Sequence, residues 1–172
     1  MCDKYLWLLS TWVKMPRLKR AELVIVSACL PYINRNIFEK LAGGREVLLV
    51  CPERENTLYY GKLASIIKSS KPRKIIVVTV EGSPHCFTVH ASVNEAEYVL
   101  DEEISREHYV LVGSDTLMEI SPESIRVARY LHLVDKMVKN NPNILKELEK
   151  YSLEHISAIE RRKRTGNFST HS

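Results

Sequence analysis

Three apolar runs, each ending at or just before a cysteine, constrain this chain more than anything else in it. Leu23 to Ala28 leads into Cys29, Val47 to Val50 leads into Cys51, and Ile75 to Val80 leads through a short turn into His85 and Cys86. Short Val- and Ile-rich runs without polar alternation, separated by helical segments, are the pattern of parallel strands buried on both faces. In an open α/β sheet the ligand crevice lies outside the carboxyl ends of such strands. The three thiols are therefore expected to meet at one rim.

The segments between the runs read as helices. Ile37 to Leu41 is amphipathic and is stopped by Gly43 and Gly44, because glycine takes the left-handed conformation cheaply. After Cys51 and Pro52, Glu55 to Thr57 offers a cap for a helix carrying Leu58, Leu63, Ile66 and Ile67, which Ser69 to Pro72 breaks. A third helix from about Thr88 carries Val89, Val93 and Ala96, and a fourth strand follows at His108 to Val112, closed by Gly113. From Ser121 the composition turns to helix formers: one helix with Ile125, Ala128, Leu131, Val134 and Val138, a stop at Asn140 to Asn143, then a second with Leu145, Leu148, Ile156 and Ile159. Tyr5 to Val13 is too short to span a bilayer and reads as a segment docked on the domain, although Met15 offers an alternative start.

The expected fold class is thus α/β: a three-layer Rossmann-like domain with a mainly parallel sheet of about four strands. It should fill residues 1–120, with a helical hairpin extension and basic tail over 121–172. Neither a Gly-x-Gly-x-x-Gly turn nor a phosphate-binding lysine loop follows any strand, so a nucleotide site of the standard kind has no support. The four cysteines Cys2, Cys29, Cys51 and Cys86 occur in a chain that is neither short nor preceded by a secretion signal, which favours reduced thiols or metal ligands in a cytoplasmic protein.

The chemistry rests on Cys29, Cys51, His85 and Cys86, with Cys2 in reserve. Three thiolates and an imidazole complete a zinc site, and three or four thiolates hold an iron-sulfur cluster. The alternative for Cys29 and Cys51 is ordinary burial, since free cysteine is among the most buried residue types. Glu81, just before the turn, could fix the tautomer of His85 or stand as a solvated turn acid, and Tyr59 and Tyr60 could line a pocket, or divide between core and surface. A nucleophilic Cys-His pair is not expected, because successive side chains in an extended turn diverge. His90, His132, His155 and His171 are scattered and expected to be surface or satisfied residues.

The net charge of +4 is concentrated in Lys14 to Arg20 and Arg161 to Arg164. Phosphate neutralisation needs such charge, but readout or stacking needs aromatic platforms, and only Trp7, Trp12 and Phe168 are near. Nucleic-acid binding is accordingly the less favoured class, behind solvated basic termini. The helical extension offers a further role, as a homodimer contact.

Four runs also carry a resemblance. Ser27 to Pro31, Val50 to Glu53, Tyr59 to Leu63 and Val80 to Cys86 resemble the cysteine-bearing domain that follows the ferredoxin module in 4Fe-4S iron-sulfur proteins of anaerobic bacteria and archaea. The family pattern is Asp-Cys-x-x-x-Ala, then Gly-Cys-Pro-Lys-Leu-Asp, then Met-Glu-Val-Pro-Cys-Cys-x-Gly, and the likeness covers about residues 21–115. Ala28 stands for the aspartate, Glu53 for the lysine and His85 for the first of the paired cysteines, the third motif has one extra residue, and the closely spaced ferredoxin cysteines are absent. The resemblance implies a redox-associated protein with Cys29, Cys51 and Cys86 as the ligands of an iron-sulfur cluster and a ferredoxin-type redox partner; zinc is the other centre the donor set allows, and no membrane association is expected. A metal-free partner-binding or oligomerisation module of the same fold is the alternative.

Overall fold

A computed structural model describes residues 5–55 and 59–166 of the chain. Cys2, Phe168, His171 and the cap expected at Asn56 and Thr57 lie outside the described residues. Six strands form one sheet in the order β1-β3-β2-β4-β5-β6. The four expected strands are its centre: β2 (Glu22–Ser27), β3 (Glu46–Val50), β4 (Lys74–Val80) and β5 (Arg106–Val112). They pair in parallel, with Val24 opposite both Val47 and Ile76.

Alternate residues of each central strand enter opposite layers, which is why the runs lack polar alternation. Leu23, Ile25, Leu48, Val50, Ile75 and Val77 pack under α3 (Tyr59–Ser70) and α4 (Phe87–Leu100). Val24, Val26, Val47, Leu49, Ile76 and Val78 pack under α1 (Leu30–Ile33) and α2 (Arg35–Ala42) through Leu30 and Phe38. Ile25 is 0% exposed, so truncation to alanine should cost on the order of 3 kcal/mol. Asn34 caps α2 by accepting the Ile37 N–H at 2.9 Å, and Gly44 beyond its end has φ +70°, open to glycine at little cost.

Two strands extend the sheet beyond the sequence reading. The amino-terminal segment docks as β1 (Leu6–Trp7), parallel to β3, with Leu8 fully buried. After Gly113, at φ +63°, the chain turns back into antiparallel β6 (Thr116–Ile120). β6 mixes Glu119 and Met118 into an exposed edge and so lacks a buried-strand pattern.

The chain divides into two compact units between Arg126 and Val127 rather than at 120. Helix α5 (Pro122–Ala128) begins on the first unit, because the Asn94 Nδ2 donates to the Pro122 carbonyl at 3.2 Å and Ile125 is buried. In the second unit the expected pair of long helices is shorter and broken: α6 (Leu131–Asn140), α7 (Asn143–Leu148) and α8 (Leu153–Gly166). No helix among the described residues is long and apolar enough to cross a membrane.

Candidate functional site

The sheet order places a switch point between β2 and β4. The chain leaves β2 through α1 and α2 toward β3, then returns through α3 to β4 on the other side of β2, and continues outward to β5. Crossovers that diverge in this way open a crevice at the carboxyl ends of the two strands. Ser27 is the last residue of β2, and its Oγ lies 3.4 Å from the Cys86 Sγ brought in from beyond β4.

Cys29 and Cys51 occupy the first positions past β2 and β3, and Cys86 follows β4 after a turn. The Ala28 N–H still bonds to the Val50 carbonyl at 2.9 Å, so Cys29 is the first residue beyond the ladder and starts α1. Cys51 directly follows β3, its carbonyl accepting the N–H groups of Arg54 at 3.0 Å and Glu55 at 2.8 Å in a tight turn. Cys86 starts α4 and is buried, whereas Cys51 is half-buried and Cys29 is exposed. Burial of its surroundings raises the Cys29 thiol above its ordinary value, and the charges of Cys86 and, less strongly, Cys51 push the same way. Among the described residues, no three His, Cys, Asp or Glu side chains already form a group able to hold a metal ion.

His85 faces outward beside Cys86. The carboxylate that meets it is Glu53, with Oε1 3.1 Å from Nδ1, and both side chains are more than half exposed. Glu81, the expected partner of His85, is engaged elsewhere: its Oε1 accepts the Gly113 N–H at 2.6 Å. The reason is topological. Gly82 at φ +72° swings the chain away after β4, and Glu81 is left beside the end of β5, where its own N–H bonds to the Leu111 carbonyl at 3.0 Å.

The tyrosines divide as their helix position dictates. Tyr59 is 0% exposed in the core under α3, and Tyr60 is 41% exposed on the opposite side. The Tyr59 hydroxyl has no hydrogen-bond partner among the described residues, and neither does Oε2 of Glu55. Burial raises the Tyr59 phenol, and the charges of Glu55, Cys51 and Cys86 add to it. Burial also raises the Glu55 carboxyl, although its Oε1 accepts the Leu9 N–H at 3.3 Å. Sequence reading missed Ser27, Glu53 and Glu55 as members of the site. Only Ser27 carried a signal, as the lone hydroxyl inside an apolar run.

A second polar cluster, also unread from the sequence, lies between α4 and the sheet. His90 on α4 and His108 on β5 are both buried, with Nδ1 atoms 3.0 Å apart, and His90 Nε2 is 2.8 Å from the Thr79 hydroxyl. The signal for His90 was its place three residues before Val93, on the apolar face of α4.

A family profile described as a Rossmann-like domain matches residues 15–165. No curated protein and no solved structure matches the chain.

Proposed function

The chain belongs to the Rossmann-like domain family, and from the crevice at its switch point we propose that it is a redox-associated protein binding a thiophilic centre through Cys29, Cys51 and Cys86. The observation that carries this reading is that Cys29, Cys51 and Cys86 follow β2, β3 and β4, which lie side by side in the sheet, with Cys86 Sγ 3.4 Å from the Ser27 Oγ at the end of β2. The donors suit zinc or an iron-sulfur cluster in kind, with His85 as a possible fourth ligand and Glu53 holding its ring. Closing them on one centre requires the exposed Cys29 and outward His85 to turn inward toward the buried Cys86. Such a centre supplies one-electron redox capacity if iron-based and a structural clamp if zinc.

The chain's own residues prepare the rim in stated ways. The Ser27 hydroxyl is placed to donate to the Cys86 sulfur when that sulfur is a thiolate, which stabilises the ligating form. Tyr59 and the strand residues beneath keep the floor dry, which strengthens any charge interaction at the rim. The role is electron transfer or redox sensing in the cytoplasm, with a ferredoxin-type partner. Full-length protein purified without oxygen should carry iron with acid-labile sulfide, or zinc, together with the matching absorption, and Cys86→Ala should lose it. Protein with none of iron, sulfide or zinc would sink the proposal.

A second reading is supported by the second unit. No residue of α6 or α7 is buried, and Leu131 and Leu153 are 76% and 82% exposed. A metal-free module that associates through these helices is the alternative, as apolar faces of this kind mark interaction sites. Sedimentation of the full chain beside one ending at Arg126 tests it: identical monomers in both would count against association.

A further inference from the structure

A cleft of about 1040 Å³ runs along the α2 side of β3. Its floor is Val47 and Leu49, one wall is Phe38 and Arg35 of α2, and the other is Trp7 of β1 with Arg54. The volume is that of a small-molecule site, and apolar walls with a few placed charges are the usual makeup of one. Cys29 is among the residues that line it, whereas Cys51 and Cys86 are not.

The charges in the cleft are not equivalent. Arg17 pairs with Glu46, Arg45 with Glu22 at 3.0 Å, and Arg35 with Glu39 at 2.7 Å. Arg54 has no ion pair among the described residues. Its guanidinium carbon sits 4.2 Å from the centre of the Trp7 ring. The adjacent carboxylate, Glu55, is turned inward and accepts the Leu9 N–H. A stacked guanidinium keeps its N–H fork in the plane of the stack, where it can meet a carboxylate or phosphate with two parallel hydrogen bonds. The aromatic surface around it continues, since Tyr5 meets Phe38 edge to face with centroids 5.0 Å apart.

We propose that this cleft binds a small planar aromatic anion, with its ring system between Trp7 and the α2 wall and its anionic group on the Arg54 guanidinium. A neutral ring fills the apolar walls but leaves the arginine fork unused. A bare anion gains the fork but not the walls. The proposal does not depend on a metal at the thiol rim.

The test is calorimetric titration of the full-length protein with 2-naphthoate, 2-naphthamide and acetate as separate probes. The carboxylate should bind at least about tenfold tighter than the amide, and acetate should give no measurable heat. Arg54→Gln should bring 2-naphthoate down to the amide's affinity while leaving the amide unchanged, and Arg54→Lys should restore only part of the difference. Equal affinities for acid and amide in the unaltered protein, an Arg54→Gln variant that still prefers the acid, acetate binding as well as naphthoate, or no binding at all would overturn it. The first comparison needs no variant, so a folding defect cannot obscure it.

Discussion

The rings of His90 and His108 meet at 3.0 Å between Nδ1 atoms inside the protein, with their centroids 5.2 Å apart. One Nδ1 must carry the proton and the other must accept it, so the contact exists only while at least one ring is neutral. Burial holds His90 down to about 4, and burial with the charges of His90, Arg106 and Arg126 holds His108 down to about 3.

Acid sensitivity follows from that pair. Both histidines are held below the ordinary 6.5, so the unfolded chain binds more protons than the folded one between that value and the folded ones. Their contribution is complete above about pH 6.5 and is lost as the pH falls toward 4 and then 3. For His90 alone, the depression to about 4 corresponds to roughly 3 kcal/mol. Urea unfolding from pH 7.5 to 4.5 should show this loss, and the double change His90→Leu with His108→Leu should flatten it. A double variant with the same pH slope as the unaltered chain would exclude the pair as its source.

Cys29 and Cys51 were legible because they follow apolar runs directly, and Cys86 follows its run after a turn; β2, β3 and β4 were readable because burial on both faces leaves such a run, and β5, where only His108 and Leu111 are buried, was readable from its apolar end. β6 was not, because an edge strand such as Thr116 to Ile120 buries little and shows no such run. The two breaks in the carboxyl-terminal helices were missed for a related reason: the stripe from Ile125 to Val138 keeps helical spacing, while the chain turns at Arg129 and Tyr130. At the site, Glu53 displaced Glu81 because side-chain partners there depend on how the loops after β3 and β4 cross, and periodicity says nothing about that.

Thiol reactivity should separate the three cysteines. Cys29 is exposed but its thiol is raised by burial of its surroundings and by Cys86 and Cys51, so it carries less thiolate at neutral pH than a free cysteine. Metal-free protein treated with iodoacetamide should label Cys29 slowly at pH 7.5, with a rate that keeps climbing at pH values where a small thiol has levelled off. Cys86, buried against Ser27, should label only on unfolding. Peptide mass spectrometry gives all three rates, and Cys86 modified before Cys29 would contradict the arrangement.

Glu97 is the hinge of a charge network under α4. It pairs with Arg106, of which only 7% of the side chain is exposed, meets Arg126 at 3.2 Å and accepts the Ile104 N–H at 3.3 Å. Removing one partner of a buried pair leaves an uncompensated charge, so Glu97→Ala should cost about 3 kcal/mol. The double change Glu97→Leu with Arg106→Met should cost much less, because the stranded guanidinium goes with its partner. Denaturant midpoints for the two variants decide it, and a double variant no better than the single would place the cost in lost packing instead.

The Tyr59 hydroxyl gives the thiol rim its most direct test by stability. It is buried without a partner among the described residues, and a buried hydroxyl that bonds to nothing costs about 1–3 kcal/mol relative to the same ring without it. In metal-free protein, Tyr59→Phe should therefore be stabilising by about 1 kcal/mol or more, since the ring keeps its contacts in the core. If the hydroxyl instead donates to a group held at the rim, the same change should destabilise protein that contains the group and leave protein stripped of it unharmed. Urea unfolding of Tyr59→Phe with and without chelator treatment distinguishes the two, and a loss of stability that chelation does not alter would mean that the hydroxyl is bound within the fold itself.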